Sequence, residues 1–338
     1  ESFGADVAFP IEELAKRLPD YLGNVKRLHY RVAQDRAADA IIFDCLNLLR
    51  RGGRRGVTAP ETIIDTSVHL HEMRLRKSAA EVATMRRAAA ITKEAHVRAM
   101  ELARPGMHEY EIDAELIHIF RKHGSERAAY DSIVGSGPNA TILHYRAGNR
   151  IFNDGELVLI DAGCELDYYA SDVTRTFPVN GKFTPEQRSI YELVLDAQKA
   201  SIDAVKPGVS LDEIHQVAVR VITEGLRRLG MLEGDADALI EEKKFEPFYM
   251  HRTSHWLGMD VHDVGHYYVD GEHRPLEPGF VLTVEPGIYI ATDAEDVDER
   301  WRGIGVRIED DVLVTASGSE VLTDGIPKEI DEVEAACA

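Results

Sequence analysis

The stretch "GELVLIDAG", residues 155–163, sets a turn glycine ahead of an unbroken apolar run, delivers Asp161 at its end and closes on Gly163. Residues 157–160 favour a strand buried on both faces, so a lone carboxylate at its tip is costly unless something positive meets it. The same order returns at "GFVLTVEPG", residues 279–287, which puts Glu285 where Asp161 stood. Upstream, "RPGMHEYEI" at 104–112 is echoed by "KPGVSLDEI" at 206–214, each a basic-Pro-Gly helix stop followed by a new helix. Two echoes in one order predict a duplicated unit of two helices plus antiparallel strands, an α+β fold.

Helix starts are legible elsewhere. Ser78 with Glu81, Thr184 with Gln187 and Ser210 with Glu213 have capping-box spacing, and Pro185 suits a first helical turn. From Leu211 the positions Ile214, Val217, Ala218, Val221 and Ile222 trace one apolar helix face. Residues 1–70 stand outside the duplication, with helix-like spacing around 11–22 and 37–49. They begin without a starter methionine and read as the tail of a separate N-terminal domain whose first half is missing. The stretch "IIDTSVHLHEMRL" at 63–75 joins them to a catalytic unit at 71–338.

With 39 basic against 59 acidic residues the formal charge is −20, which argues against nucleic acid as a partner. Apolar runs are strand-sized, well short of the ~20 residues a membrane helix requires, and no secretory leader is visible. Cys45, Cys164 and Cys337 are odd in number and lack CxxC spacing, so a disulfide framework is not expected and a cytoplasmic location fits. Cys164 reads as an inert buried thiol.

Two further acids fall on apolar strands. Asp172 lies in "YYASDVTRTF", expected to return from a turn at Cys164 to Asp167, and Glu309 lies in "GIGVRIEDDVLVT". Asp161, Asp172, Glu285 and Glu309 converging in a core would repel one another unless cations held them. Divalent metal is the economical answer, with His255 as a nitrogen ligand. An oxygen-rich set with one imidazole suits manganese, with cobalt or zinc as alternatives, and five side chains suit a pair of ions ~3.5–4 Å apart. Arg307, two residues before Glu309, would offset the excess negative charge.

The stretch "MHRTSHWLGMDVHD" at 250–263 resembles the signature of the aminopeptidase P and prolidase family, proline-specific metallopeptidases of the pita-bread fold. "IDAG", "SDVTRTF", "VEPG" and "GVRIEDD" resemble that family's other metal segments, in order, over about residues 70–325. The resemblance implies a pita-bread domain at 71–338 preceded by the C-terminal part of a creatinase-like domain at 1–70. It implies that Asp161 and Asp172 hold one ion, and that His255 and Glu285 hold the second together with bridging Asp172 and Glu309. It further implies hydrolysis of the bond before proline, with Glu285 shuttling a proton, His262 stabilising the tetrahedral intermediate and His144 near the substrate. His251 would line the proline pocket and Arg307 would support the ligands. His29, His69, His71 and His123 are assigned no role. A homodimer or homotetramer is expected.

Many relatives carry glycine where this chain has Arg252. A guanidinium beside the proline pocket could bind a free carboxylate in bidentate fashion, with Tyr267 or Tyr268 helping to close that side. That reading favours an Xaa-Pro dipeptidase (prolidase) over an Xaa-Pro aminopeptidase acting on longer peptides. Two further alternatives are a metal-free enzyme resembling creatinase and a metal-free binding protein of the same fold. Both should lack one or more ligands, and all five positions are filled here. Methionine aminopeptidase shares the fold and metals but not this signature.

Overall fold

The computed structural model describes residues 4–338. The chain divides into two compact units, Glu1–Glu72 and Met73–Ala338.

In the first unit α1 (Leu14–Leu22), after a short 3-10 turn, packs against α2 (Arg36–Arg51), and β1 (Arg27–His29) pairs in parallel with β2 (Thr62–Ile64). Asp35 starts α2 by accepting from the amides of Ala37 and Ala38, a local satisfaction of two otherwise orphaned donors. Leu22, Cys45 and Leu49 form its small core. The helix α3 (Ser67–Leu75) follows.

The second unit is built twice over, as the echoes predict. In its first half α4 (Ala79–Leu102) and α5 (Glu109–Lys122) pack on one another, then β3 (Arg127–Ala128) and β4 (Ile133–Ser136) lead to β5 (Leu157–Asp161), β6 (Cys164–Leu166), β7 (Tyr169–Ala170) and β8 (Thr174–Pro178). The second half repeats the helix pair as α6 (Pro185–Ala204) and α7 (Leu211–Arg228), adds α8 (Ala236–Glu241) and a hairpin of β9 (Tyr268–Val269) and β10 (Glu272–His273), and continues as β11 (Val281–Val284), β12 (Gly287–Tyr289), β13 (Gly305–Arg307), β14 (Asp310–Val314) and β15 (Ser319–Val321), with α9 (Ile330–Ala336) last. The Pro-Gly stops at 105–106 and 207–208 lie between the helices of each pair, and Gly106 and Gly208 take φ of +94 and +90, where a side chain would be strained. All three expected capping boxes form. The buried side of α7 is Leu211, Ile214, His215, Ala218, Val219 and Ile222, so Val219 is fully buried where Val217 and Val221 are only partly so.

The strand pairs of this second unit are antiparallel. β5 pairs with β4 and β8, placing Asp161 opposite Thr174, and β11 pairs with β14, placing Val284 opposite Asp310. One apolar core spans both halves, with Met100, Phe120 and Phe177 from the first alongside Tyr191, Leu226 and Val306 from the second. Among the side chains at their junction is Arg175, fully buried on β8, whose guanidinium donates to Asp310 at 2.7 Å and to the carbonyl of Glu309 at 2.6 Å.

The turn expected at Cys164 to Asp167 falls later. Residues 164–166 form a strand because β3 and β7 pair with it from either side, and the reversal sits at Asp167 and Tyr168, both at positive φ. The return strand is also not continuous, since residues 171–173 leave the ladder.

Candidate metal centre

Each half has two long strands, and each of those strands breaks. Regular pairing stops after Asp161, at 171–173, at Glu285–Pro286 and at Ile308–Glu309. All four predicted acids sit on or beside these breaks. A side chain inside a regular ladder must point to one face or the other, whereas an interruption frees it to turn toward a common centre. The break after Asp161 depends on Gly163, because a Cβ there would lie 1.7 Å from the carbonyl oxygen of Ser171. The Ala162 amide bonds the carbonyl of Val173 across the gap and holds the two chains together.

The breaks deliver Asp161, Asp172, Glu285, Glu309 and His255 to the wall of one cavity of about 1010 Å³, which His144, His251, Arg252, His262, Tyr267 and Arg307 also line. Ligand-type atoms of Asp172, His255 and Glu309 all lie within 4.8 Å of one another. His255 presents Nε2 to Asp172 at 3.3 Å and to Glu285 at 3.6 Å, while its Nδ1 meets the carbonyl of Trp256 at 3.0 Å. That second contact takes the Nδ1–H, so Nε2 is the nitrogen turned to the acids: it donates to Asp172 while protonated and would be the bare ligand atom with metal bound. Asp161 accepts from Tyr130 at 2.6 Å and from Arg307 at 2.5 Å, and Glu309 accepts from Thr174 at 2.6 Å. Arg307 therefore acts on Asp161, across the halves, with its remaining donors spent on Thr174 and Tyr289.

The electrostatics state what the acids call for. Burial, followed by the neighbouring charges of Asp172, Glu285 and Asp161, drives the Glu309 carboxyl well above the usual range. Burial raises Asp161 too, and takes Glu285 to about 8 against the opposing pull of His255 and Arg307. His255 moves up to about 9, because the bond to Asp172 and the charge of Glu285 together outweigh its desolvation. On its own the cage gathers protons, which is how a buried anionic cluster supplies itself with positive charge. Oxygen donors in excess, one imidazole oriented from behind and a deficit of cations fit divalent metal.

His251 accepts through Nε2 from the Tyr289 hydroxyl at 2.8 Å, its Nδ1–H being spent on the Arg252 carbonyl, and stands 3.8 Å from Glu285, and His262 meets the ring of His255 edge-on at 4.4 Å. Tyr267 stacks on Trp256 at 5.4 Å. His144 lines the cavity from the loop between β4 and β5. Arg252 departs from expectation: its guanidinium is not free beside the pocket but bonds Asp212 at 2.6 Å. His29 and His69 are exposed, and His123 pairs with Glu94 at 2.9 Å. Burial raises the Cys164 thiol to about 11, as an inert thiol requires.

Several working residues carry no sequence signal. Tyr130 and Thr174 bond Asp161 and Glu309 from elsewhere in the fold, Tyr289 braces Arg307 and His251, and only the folded chain reveals these contacts. Glu109 is fully buried at the start of α5 and accepts from Ser136, Asn139, Tyr145 and the Gly148 amide, tying down the loop that carries His144. Glu109→Ala would strand those donors. We expect it to lower the unfolding free energy by about 3 kcal/mol, measured by urea denaturation, with Glu109→Gln recovering part of the loss.

Residues 83–316 match the profile of Metallopeptidase family M24. The chain is 50% identical over 335 residues to the Xaa-Pro aminopeptidase of Escherichia coli K12, covering 99% of this chain and 76% of that protein. It superimposes on Pseudomonas aeruginosa aminopeptidase PepP with a TM-score of 0.96 at 53% identity, covering 99% of this chain and 76% of that one. A zinc-substituted E. coli aminopeptidase P in complex with product aligns with a TM-score of 0.94 at 49% identity, again over 99% and 76%. These relatives favour the aminopeptidase reading over the dipeptidase reading drawn from Arg252. A buried acid cage that calls for divalent ions, on duplicated strands of the pita-bread fold, is what such a family needs, and this chain belongs to metallopeptidase family M24.

Proposed function

We propose that the protein is an Xaa-Pro aminopeptidase, which hydrolyses the bond before a proline in second position and acts on peptides that continue beyond it. The observation that carries this reading is the convergence of Asp161, Asp172, His255, Glu285 and Glu309 on one cavity in a chain half identical to a named Xaa-Pro aminopeptidase. Two divalent ions, manganese by preference, would be held by these five side chains, with Asp172 and Glu309 shared between them. Such ions supply Lewis-acid chemistry, polarising the scissile carbonyl and bringing a water's pKa toward neutrality.

The chain's own groups do the rest. Glu285, within 3.6 Å of His255 and 3.8 Å of His251, would carry a proton toward the departing proline nitrogen. His262 and His144 line the same cavity and would donate to oxygen at the reacting carbonyl. His251, braced by Tyr289, would form one wall for the proline ring. Arg307 and Tyr130 hold Asp161 in place, the kind of support whose loss costs about 10- to 100-fold in metal affinity or activity. A cytoplasmic location and a homo-oligomer belong to the same proposal; three unpaired cysteines support the first.

The test is cleavage of an Xaa-Pro-Xaa tripeptide against its Xaa-Ala-Xaa counterpart, before chelation, after it, and after manganese is restored. Cleavage confined to the proline peptide, abolished by chelator and recovered with manganese, is expected. Cleavage of both peptides alike, or activity indifferent to chelation, would overturn the proposal.

A further inference from the structure

Arg252 lines the same cavity as the acid cage, next to His251, whose Nδ1 contacts the Arg252 carbonyl at 2.9 Å and fixes the backbone there. One arm of its guanidinium is taken up by an acid. Nη2 bonds Oδ1 of Asp212 at 2.6 Å, and the other oxygen of Asp212 lies 3.9 Å from Nε2 of His273 on the β9–β10 hairpin. Asp212 occupies the first turn of α7, where the helix dipole favours a negative charge, so this anion is anchored rather than incidental. The three residues all line the cavity, with Asp212 between a base from the 251–263 segment and a base from the hairpin.

A dipeptide and a longer peptide differ in one charge. A dipeptide ending at proline carries its free carboxylate one residue from the scissile bond, whereas a longer peptide offers a neutral amide there. An unpaired guanidinium at this place would reward the carboxylate, and a fixed aspartate would repel it. We infer that Asp212 is a specificity-determining residue: by holding Arg252 it withholds the guanidinium from a substrate's terminal carboxylate and keeps the cleft open to peptides that run past proline. This inference rests on the aminopeptidase reading above. It also accounts for an arginine in a peptidase whose relatives are named as aminopeptidases.

The experiment compares an Xaa-Pro dipeptide with its C-terminal amide on the manganese-loaded enzyme, so that the substrates differ only in the charge at issue. Wild type should show no preference for the free acid. Asp212→Asn should raise the acid-to-amide ratio of kcat/KM by about tenfold, the size of one charge-assisted hydrogen bond at a partly exposed site, chiefly through KM. The double variant Asp212→Asn with Arg252→Gly should lose that rise, which separates Arg252 from His273. Asp212→Ser serves the same purpose if the asparagine variant does not fold. A wild type that already prefers the free acid, an unmoved ratio in Asp212→Asn, or a rise that survives in the double variant would overturn the inference. Cleavage of the Xaa-Pro-Xaa tripeptide by wild type tests the underlying reading separately, so the two failures are distinguishable.

Discussion

Asp172→Asn is expected to cut kcat/KM on an Xaa-Pro-Xaa peptide by about a thousandfold while leaving the fold intact. The residue is 5% exposed, faces His255 at 3.3 Å and shares a cluster with Glu309. An amide keeps the shape but removes one of the four negative charges and offers a single acceptor oxygen, so it cannot be shared between two cations. Losing about 4 kcal/mol of the several that such ions contribute to a transition state corresponds to that thousandfold. Stability should move the other way once metal is stripped. The charge of Asp172 is among the causes that raise Asp161, Glu309 and Asp311, so removing it relieves repulsion, and the chelated variant should melt above chelated wild type. Steady-state kinetics paired with thermal melts in chelator would check both halves, and a variant that keeps its activity would contradict the assignment of Asp172.

Arg175→Met should be the most damaging substitution away from the cavity, at about 3–5 kcal/mol of unfolding free energy, because it breaks one side of a buried ion pair. The guanidinium is inaccessible and serves Asp310, the carbonyls of Thr174, Glu309 and Ile326, and through Nε that of Pro327. Asp310 would keep Lys328 at 2.6 Å, Gln198 at 2.7 Å and Thr323 at 2.7 Å, but the carbonyls would lose their donor in a dry interior. Burial opposes the charge on Asp310, yet Arg175 and Lys328 overcome it and hold the carboxyl down at about 2. A depressed folded value means the contribution is complete above the ordinary carboxylate range and is lost as pH falls through about 2. In Arg175→Met that loss should begin at higher pH. Urea unfolding at neutral and acid pH would measure both effects, and a variant as stable as wild type would refute this view of the junction.

Because Thr174 and Glu309 directly precede Arg175 and Asp310, the same network fixes the floor of the cage. Sequence reading reached the acids themselves since a strand-tip carboxylate in a repeated pattern is a local signal, carried by "LVLIDAG" and "VLTVEPG" within single stretches. The capping boxes were legible for the same reason: donor and acceptor lie three residues apart. What stayed hidden is long-range. The interruption at 171–173 depends on Gly163 meeting Ser171, and the strand at 164–166 on β3, some forty residues upstream. His96 and His215 are buried and held neutral, near 4, by desolvation, one against the carbonyl of Ala162 and the other against Thr253; nothing in their own neighbourhood of sequence separates them from surface histidines. The ion pair of Arg252 is hidden for the same reason, its partner Asp212 lying forty positions away on another element.

The most direct test is metal content. After dialysis against manganese and removal of free ion, elemental analysis of wild type should return two ions per chain, with Asp172→Asn holding fewer. Full peptidase activity in a chain that retains no divalent ion would contradict the proposal that four buried acids keep company here only because cations stand among them.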